Sequence, residues 1–203
     1  MPMPRRPAAT RVQGSDESSG HQQLKGLDGL AIGADADTET AKPADTALPA
    51  DTASDLVVFT DGSCLGNPGR GGWAWIVPGG PFASGAEPKT TNQRMEITAV
   101  LEALRSIDEP LTIASDSAYV VNCFEQRWYE GWKRRGWRNS QGAPIANQDL
   151  WEPLLALALD PARKVKFRKV RGHSGDAMNE LVDRLAVEAA TTGEGRSGSG
   201  PIE

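Results

Sequence analysis

Every aromatic residue of this chain lies between Phe59 and Phe167. The sequence has 203 residues and 12 aromatics, and none precedes Phe59. Residues 1–54 are rich instead in Ala, Asp, Thr, Pro and Gly. That composition cannot bury enough apolar surface to offset the entropy of ordering, so these residues are expected to form a disordered extension. Residues 191–203, with Gly193, Gly195, Gly198 and Gly200, read as a disordered tail for the same reason. What can fold is the stretch 55–190, one domain of ordinary size.

Periodicity orders that stretch. Leu56–Thr60 is a buried β-branched and aromatic strand, followed by a turn segment, 62–72, with five glycines. Strands follow at 73–77 and 82–86. Ile97, Val100, Leu101 and Leu104 recur at helical spacing within a helix over 92–107. Leu111–Ser115 is a strand, with helices after it at 117–125 and 128–134. A helix over 147–159 contains Pro153, which predicts an irregular start. A half-buried strand at 164–170 and a helix at 178–190 complete the domain. The alternation predicts an α/β fold, a mixed sheet flanked by helices.

Two cysteines, Cys64 and Cys123, cannot build a disulfide framework. No apolar run approaches the ~18 residues of a membrane span. No apolar stretch follows Arg5, Arg6 and Arg11, so a secretory signal is not expected and the cytoplasm is the predicted compartment. The net charge of −5 does not exclude a nucleic-acid partner. Residues 1–54 hold 5 basic and 8 acidic groups, whereas the folding stretch holds 16 and 17.

Four acids stand at the ends or flanks of apolar elements. Asp61 follows the first strand and Asp116 follows Leu111–Ser115 in the same way. Glu96 flanks the stripe of the first helix, and Asp183 lies beside Val182 on the last helix, one turn after Asn179. Taken singly, each is an ordinary turn former, helix cap or solvated acid. If the two strands are parallel neighbours, however, Asp61 and Asp116 emerge side by side, and adjacent carboxylates call for a cation between them. An all-oxygen set suits Mg²⁺ or Mn²⁺. Two such ions about 4 Å apart can drive an in-line phosphoryl displacement. Zinc is poorly supported, since two His and two Cys are scattered without ligand spacing. His173, in the loop Arg171–Asp176, would suit a proton shuttle beside such a centre.

The residues 60–69 (TDGSCLGNPG), 91–96 (TNQRME), Ser115-Asp116-Ser117 and Trp132-Lys133-Arg134-Arg135-Gly136-Trp137 resemble bacterial type I ribonuclease H. Asp149-Leu150-Trp151 and Val170-Arg171-Gly172-His173, with Asn179 and Asp183 beyond, extend the likeness over about 55–190 in order. The resemblance implies a five-stranded mixed sheet and hydrolysis of the RNA strand of RNA–DNA hybrids, leaving 5′-phosphate and 3′-hydroxyl ends. It implies that Asp61, Glu96, Asp116 and Asp183 hold two Mg²⁺ ions, with Mn²⁺ as a substitute, and that His173 assists proton transfer or product release. Gly62, Cys64, Asn67, Asn92, Gln93 and Asn179 would meet the substrate near the carboxylates. Asn92 would otherwise be a helix N-cap. A protein tells RNA from DNA by the 2′-hydroxyls of the wide minor groove.

Residues 127–138 place five basic among four aromatic side chains, a pattern suited to phosphates and sugar faces. In the resembling enzymes this segment is a basic protrusion that holds the DNA strand. Lys133, Arg134, Arg135 and Trp137 are expected in that grip, with Trp132 against a deoxyribose. A second basic group, 163–171, lies along the last strand, where a solvated sheet edge is the expected setting. Ala118 stands where many bacterial members carry Gln, so one substrate contact is expected to differ.

Two other classes fit less well. A non-catalytic hybrid-binding module would not need all four acids. A 3′–5′ exonuclease or strand transferase of the same fold would not need the protrusion. An N-terminal hybrid-binding domain is excluded by the lack of aromatics before Phe59. A monomer is expected, and the partner of the N-terminal extension is open.

Overall fold

Strand β1 (Leu56–Leu65) runs well past its apolar stretch. In the computed structural model, which describes residues 56–172 and 176–202, it pairs antiparallel with β2 (Gly69–Ile76) from Phe59↔Ile76 to Leu65↔Arg70. The disorder expected of residues 1–54 and the placement of His173 therefore lie outside the described residues. The glycine-rich stretch expected as a turn is mostly ladder, and only residues 66–68 turn, across a cis Asn67–Pro68 bond. Cross-strand hydrogen bonds hold a segment whose local propensity for strand is low.

Glycines on these strands let two helices approach the sheet. A Cβ on Gly62 would sit 2.2 Å from the Glu96 nitrogen of helix α1 (Asn92–Ser106). A Cβ on Gly72 would sit 2.1 Å from the Ala186 carbonyl of the last helix, α5 (Ala177–Thr192). The helices lie on opposite faces, and side chains of β1 alternate between them. Val58 joins the core with Ile97, Leu101, Leu104 and Trp151, while Phe59 packs with Val182, Leu185 and Ala186.

Strand β3 (Pro81–Thr90) pairs antiparallel with β2, β4 (Leu111–Ser115) runs parallel to β1, and β5 (Lys166–Lys169) runs parallel to β4. Helices α2 (Ala118–Glu125), α3 (Trp128–Arg134) and α4 (Gln148–Ala158) complete the layer on the α1 side. Pro153 sits inside α4 without ending it; the helix is preceded by Asn147 in the left-handed region, φ 61°.

The sheet has six strands rather than the expected five, in the order β5-β4-β1-β2-β3-β6. Strand β6 (Ser197–Ser199) comes from the stretch expected to be a disordered tail, and α5 itself runs on to Thr192. Arg196 accounts for much of this. Its N–H donates to Ser84 Oγ at 3.1 Å and its carbonyl accepts from the Ser84 N–H at 2.8 Å. Its guanidinium pairs with Glu188 at 3.0 Å and lies 5.6 Å from the Phe82 ring. Pairing with an existing edge supplies the order that a Ser/Gly composition cannot signal.

Candidate active site

Parallel register sets the first two acids level. Phe59 pairs with Ala114, and Asp61 and Asp116 each lie two residues further on. Asp61 is held inside the β1–β2 ladder opposite Ala74, not after a strand end as the apolar pattern suggested. Its Oδ1 accepts the Gly62 N–H at 2.7 Å. Asp116 lies beyond β4, with Gly172 so near that a Cβ there would be 2.8 Å from Asp116 Oδ2. The same oxygen accepts from Asn179 Nδ2 at 3.4 Å.

Helices bring the other two acids from opposite faces. Glu96 is oriented at both oxygens: Oε1 accepts from Asn92 Nδ2 at 2.9 Å and Oε2 from the Ser117 hydroxyl at 2.7 Å. Ser117 also caps α2, its oxygen accepting the Val120 N–H at 3.3 Å. Asp183 comes from α5 to line the same cavity beside Asp61. Together the four acids border a cavity of about 240 Å³, with Gly62, Ser63, Asn92, Asn179 and Glu180 in the remaining wall.

Crowding is severe. Burial, then the charge of Asp116 and the nearness of Asp183, push the Asp61 carboxyl up to about 8, against the pull of the Gly62 N–H. Burial also raises Glu96, with Asp116 adding and the bonds from Ser117 and Asn92 opposing. No basic side chain among the described residues lines the cavity. A hard divalent cation fits this donor set, which is all oxygen and short of positive charge. Among the described residues no three acid, His or Cys side chains close into a ready-made cage. A cation here would therefore keep waters and take oxygens from a phosphate, as Mg²⁺ does.

The expected substrate contacts divide into three groups. Gly62 is buried beneath α1, where its missing side chain lets the helix pack, and it also forms part of the cavity wall. Cys64, Asn67, Asn92 and Gln93 gather where the β1–β2 turn meets the start of α1. Asn67 Oδ1 accepts the Asn92 N–H at 3.3 Å, and Cys64 Sγ donates to the Gly66 carbonyl at 2.7 Å. Gln93 is exposed on the first turn. The cap of α1 is Thr91, not Asn92, which leaves the Asn92 amide for Glu96.

Asn179 belongs with the carboxylates; it is 3% exposed, and its Oδ1 has no partner among the described residues. The third group is the basic segment. Lys133, Arg134 and Arg135 are exposed on and after α3, and Trp137 is half-buried. Trp132 departs from expectation. It is 8% exposed and packs edge-on against Trp151 at 5.4 Å, which leaves little ring face for a sugar. Trp128, one turn earlier, is half-buried, and its indole N–H is held by Gln126 Oε1 at 3.0 Å.

Three residues at the site escaped the sequence reading: Ser63 and Glu180 in the cavity wall, and Ser117 behind Glu96. Ser117 caps α2, yet a hydroxyl that accepts from the backbone still has a proton to give. Glu180 is three residues before Asp183 on one helix, and that spacing alone places both at one opening.

The cavity lies beside the parallel β1–β4 pair inside a mixed sheet and is built from both faces, and its carboxylates form a donor set suited to metal-assisted phosphoryl transfer. The ribonuclease H family model matches residues 53–191. The chain is 45% identical over 141 residues to "Ribonuclease H" of Syntrophomonas wolfei, covering 66% of this chain and 95% of that protein. It is 48% identical over 140 residues to "Ribonuclease H" of Thermus thermophilus, covering 66% and 83%. Among solved structures, LC9-RNase H1, "a type 1 RNase H with the type 2 active-site motif", superposes with a TM-score of 0.59 at 32% identity, covering 73% of this chain and 78% of that one. The chain belongs to the ribonuclease H family, type 1.

Proposed function

We propose that this chain is an endoribonuclease that hydrolyses the RNA strand of RNA–DNA hybrids by a two-metal-ion mechanism, leaving 5′-phosphate and 3′-hydroxyl ends. Ribonuclease H activity on hybrids goes with its family. The carrying observation is the register that sets Asp61 level with Asp116, with Glu96 and Asp183 closing the cavity from either face. Residues 55–190 form the catalytic domain, acting as a monomer in the cytoplasm. No helix among the described residues is long and apolar enough to cross a membrane.

Asp61, Glu96, Asp116 and Asp183 would hold two Mg²⁺ ions, or Mn²⁺. Such ions supply neutralisation of the phosphate and activation of the attacking water. The chain's own residues do the positioning. Ser117 and Asn92 fix both oxygens of Glu96, and Asn179 orients Asp116. His173, next in sequence to the Gly172 that packs on Asp116, is assigned to moving a proton at the leaving oxygen. Cys64, Asn67, Asn92 and Gln93 would meet the hybrid's minor groove. Lys133, Arg134, Arg135 and Trp137 would hold the DNA strand, and Trp128 takes over the sugar contact first expected of Trp132.

The test is cleavage of a hybrid labelled on its RNA strand. Asp61→Asn should fold normally and lose cleavage, and chelation should stop the wild-type reaction. A circular hybrid should be opened by the wild type, as an exonuclease could not do. Near-normal cleavage by Asp61→Asn would sink the two-metal assignment.

A further inference from the structure

The two sides of the sheet are shielded from other sheets by different means. Strand β5 carries Lys166, Arg168 and Lys169 among its four residues, and like charges keep two such edges apart. Strand β3 is divided. Its later part, Glu87-Pro88-Lys89, is exposed and protects itself with two charges and a proline that has no N–H to offer. Its earlier part, residues 81–86, holds no charge at all. The tail covers this uncharged part.

The fit of the tail is particular. Strand β6 pairs with Pro81, Phe82 and Ala83, and Arg196 carries the pairing on to Ser84. Gly198 lies over the Phe82 ring, where a Cβ would be 2.8 Å from a ring carbon. Gly195 lies against Ser84, where a Cβ would be 2.1 Å from the carbonyl oxygen. One obstacle is a buried ring and the other is backbone, so a side chain at either glycine would lift the strand. Beyond β6, the Gly200 N–H donates to the Gly80 carbonyl at 2.9 Å, and Ile202 packs on the cluster that holds Phe82. The tail therefore pairs main-chain groups and covers apolar surface together. An edge stripped of it is bare, uncharged and its own complement. Antiparallel pairing about a two-fold axis sets the same residues against each other, and no charge opposes it.

We propose that β6 is a built-in cap that keeps the chain monomeric, and that the surface beneath it is an interaction site for the same edge of a second copy. When the tail lifts, two β3 edges join antiparallel through residues 81–86 and the two sheets become one. The proposal rests on the monomer as the resting state but not on the chemistry of the carboxylates, since β2 separates β3 from β1.

The test uses the full chain carrying Gly195→Val with Gly198→Val. Trypsin cleavage after Arg196, read by mass spectrometry, should quicken about tenfold or more as the tail lifts. Sedimentation equilibrium should show the wild type monomeric to about 200 µM and the variant dimeric with a Kd of about 100 µM or tighter. A peptide of residues 194–202 should return the variant to monomer, and the same peptide carrying both valines should not. Hybrid cleavage, measured below the dimer concentration, should stay at the wild-type level. The cap is refuted if cleavage after Arg196 does not quicken, if the variant stays monomeric, or if the native peptide leaves the dimer intact. A dimeric wild type would overturn the proposal from the other side, because β6 would then be maintaining no monomer.

Discussion

Replacing Gly62 by Ala probes how α1 is held against the sheet. The added Cβ would meet the Glu96 nitrogen at 2.2 Å and the Met95 carbonyl carbon at 2.3 Å. Both are backbone atoms, so no rotamer relieves the overlap. Restoring ordinary contact needs a shift of about 1 Å in the first turns of α1, which also carry the buried Met95 and Ile97. Overpacking of this kind costs about 1–3 kcal/mol. The same displacement moves Glu96 away from Ser117, and a misplacement of about 1 Å at a reacting centre can cost about 10²-fold. Urea melts with steady-state cleavage of a labelled hybrid measure both effects. The expected result is a lower midpoint together with a fall in kcat that excess substrate does not rescue. If stability stayed unchanged and only KM rose, Gly62 would be serving substrate approach, and the packing account would be wrong.

The raised Asp61 sets a pH dependence of stability. Its folded pKa of about 8 lies above the ordinary 3.8, so between those values the folded state holds the extra proton and stability falls as pH rises. Melting temperature without divalent ions should decline from pH 5 to pH 8, Mg²⁺ should restore it at pH 8, and Asp61→Asn should flatten the curve. Arg163, expected on the last strand, instead donates to the Leu104 and Ile107 carbonyls at the end of α1, with its side chain 12% exposed. Arg163→Ala should cost about 1.5–3 kcal/mol in denaturant melts. Removing Asp108, its 92% exposed partner, should cost less than about 1 kcal/mol. Ending the chain after Gly193 removes β6 and the Arg196 contacts; lower stability with intact cleavage is expected, and lost cleavage would tie that strand to the site.

Much of the arrangement was legible because it rests on patterns that tertiary contacts reinforce. The apolar runs of β1 and β4 each lead to an acid, and parallel pairing is all that is needed to bring those acids level. The helical stripe of α1 locates Glu96 in the same way. What escaped depends on partners distant in sequence. Nothing local in residues 61–65 announces a strand; the ladder with β2 makes it one. Ser197–Ser199 has no side chains that could signal pairing with β3, and Ser84, which anchors it, is over a hundred residues away. Trp132 lies among basic residues and reads as exposed. Its position one turn after Trp128 turns it instead toward Trp151, a neighbour only in three dimensions.

The late arrival of α5 and β6 has a consequence for synthesis. A chain emerging from the ribosome offers β1 to β4 and three of the four acids well before Asp183 exists. Through that interval the face of β1 that carries Phe59 lacks its helix, and the outer edge of β3 lacks its partner. Unpaired edges and uncovered apolar faces are where nascent chains aggregate. The same delay keeps the carboxylate cavity open on one side until α5 has emerged. The four acids thus come together only once α5 packs on the Phe59 face of the sheet.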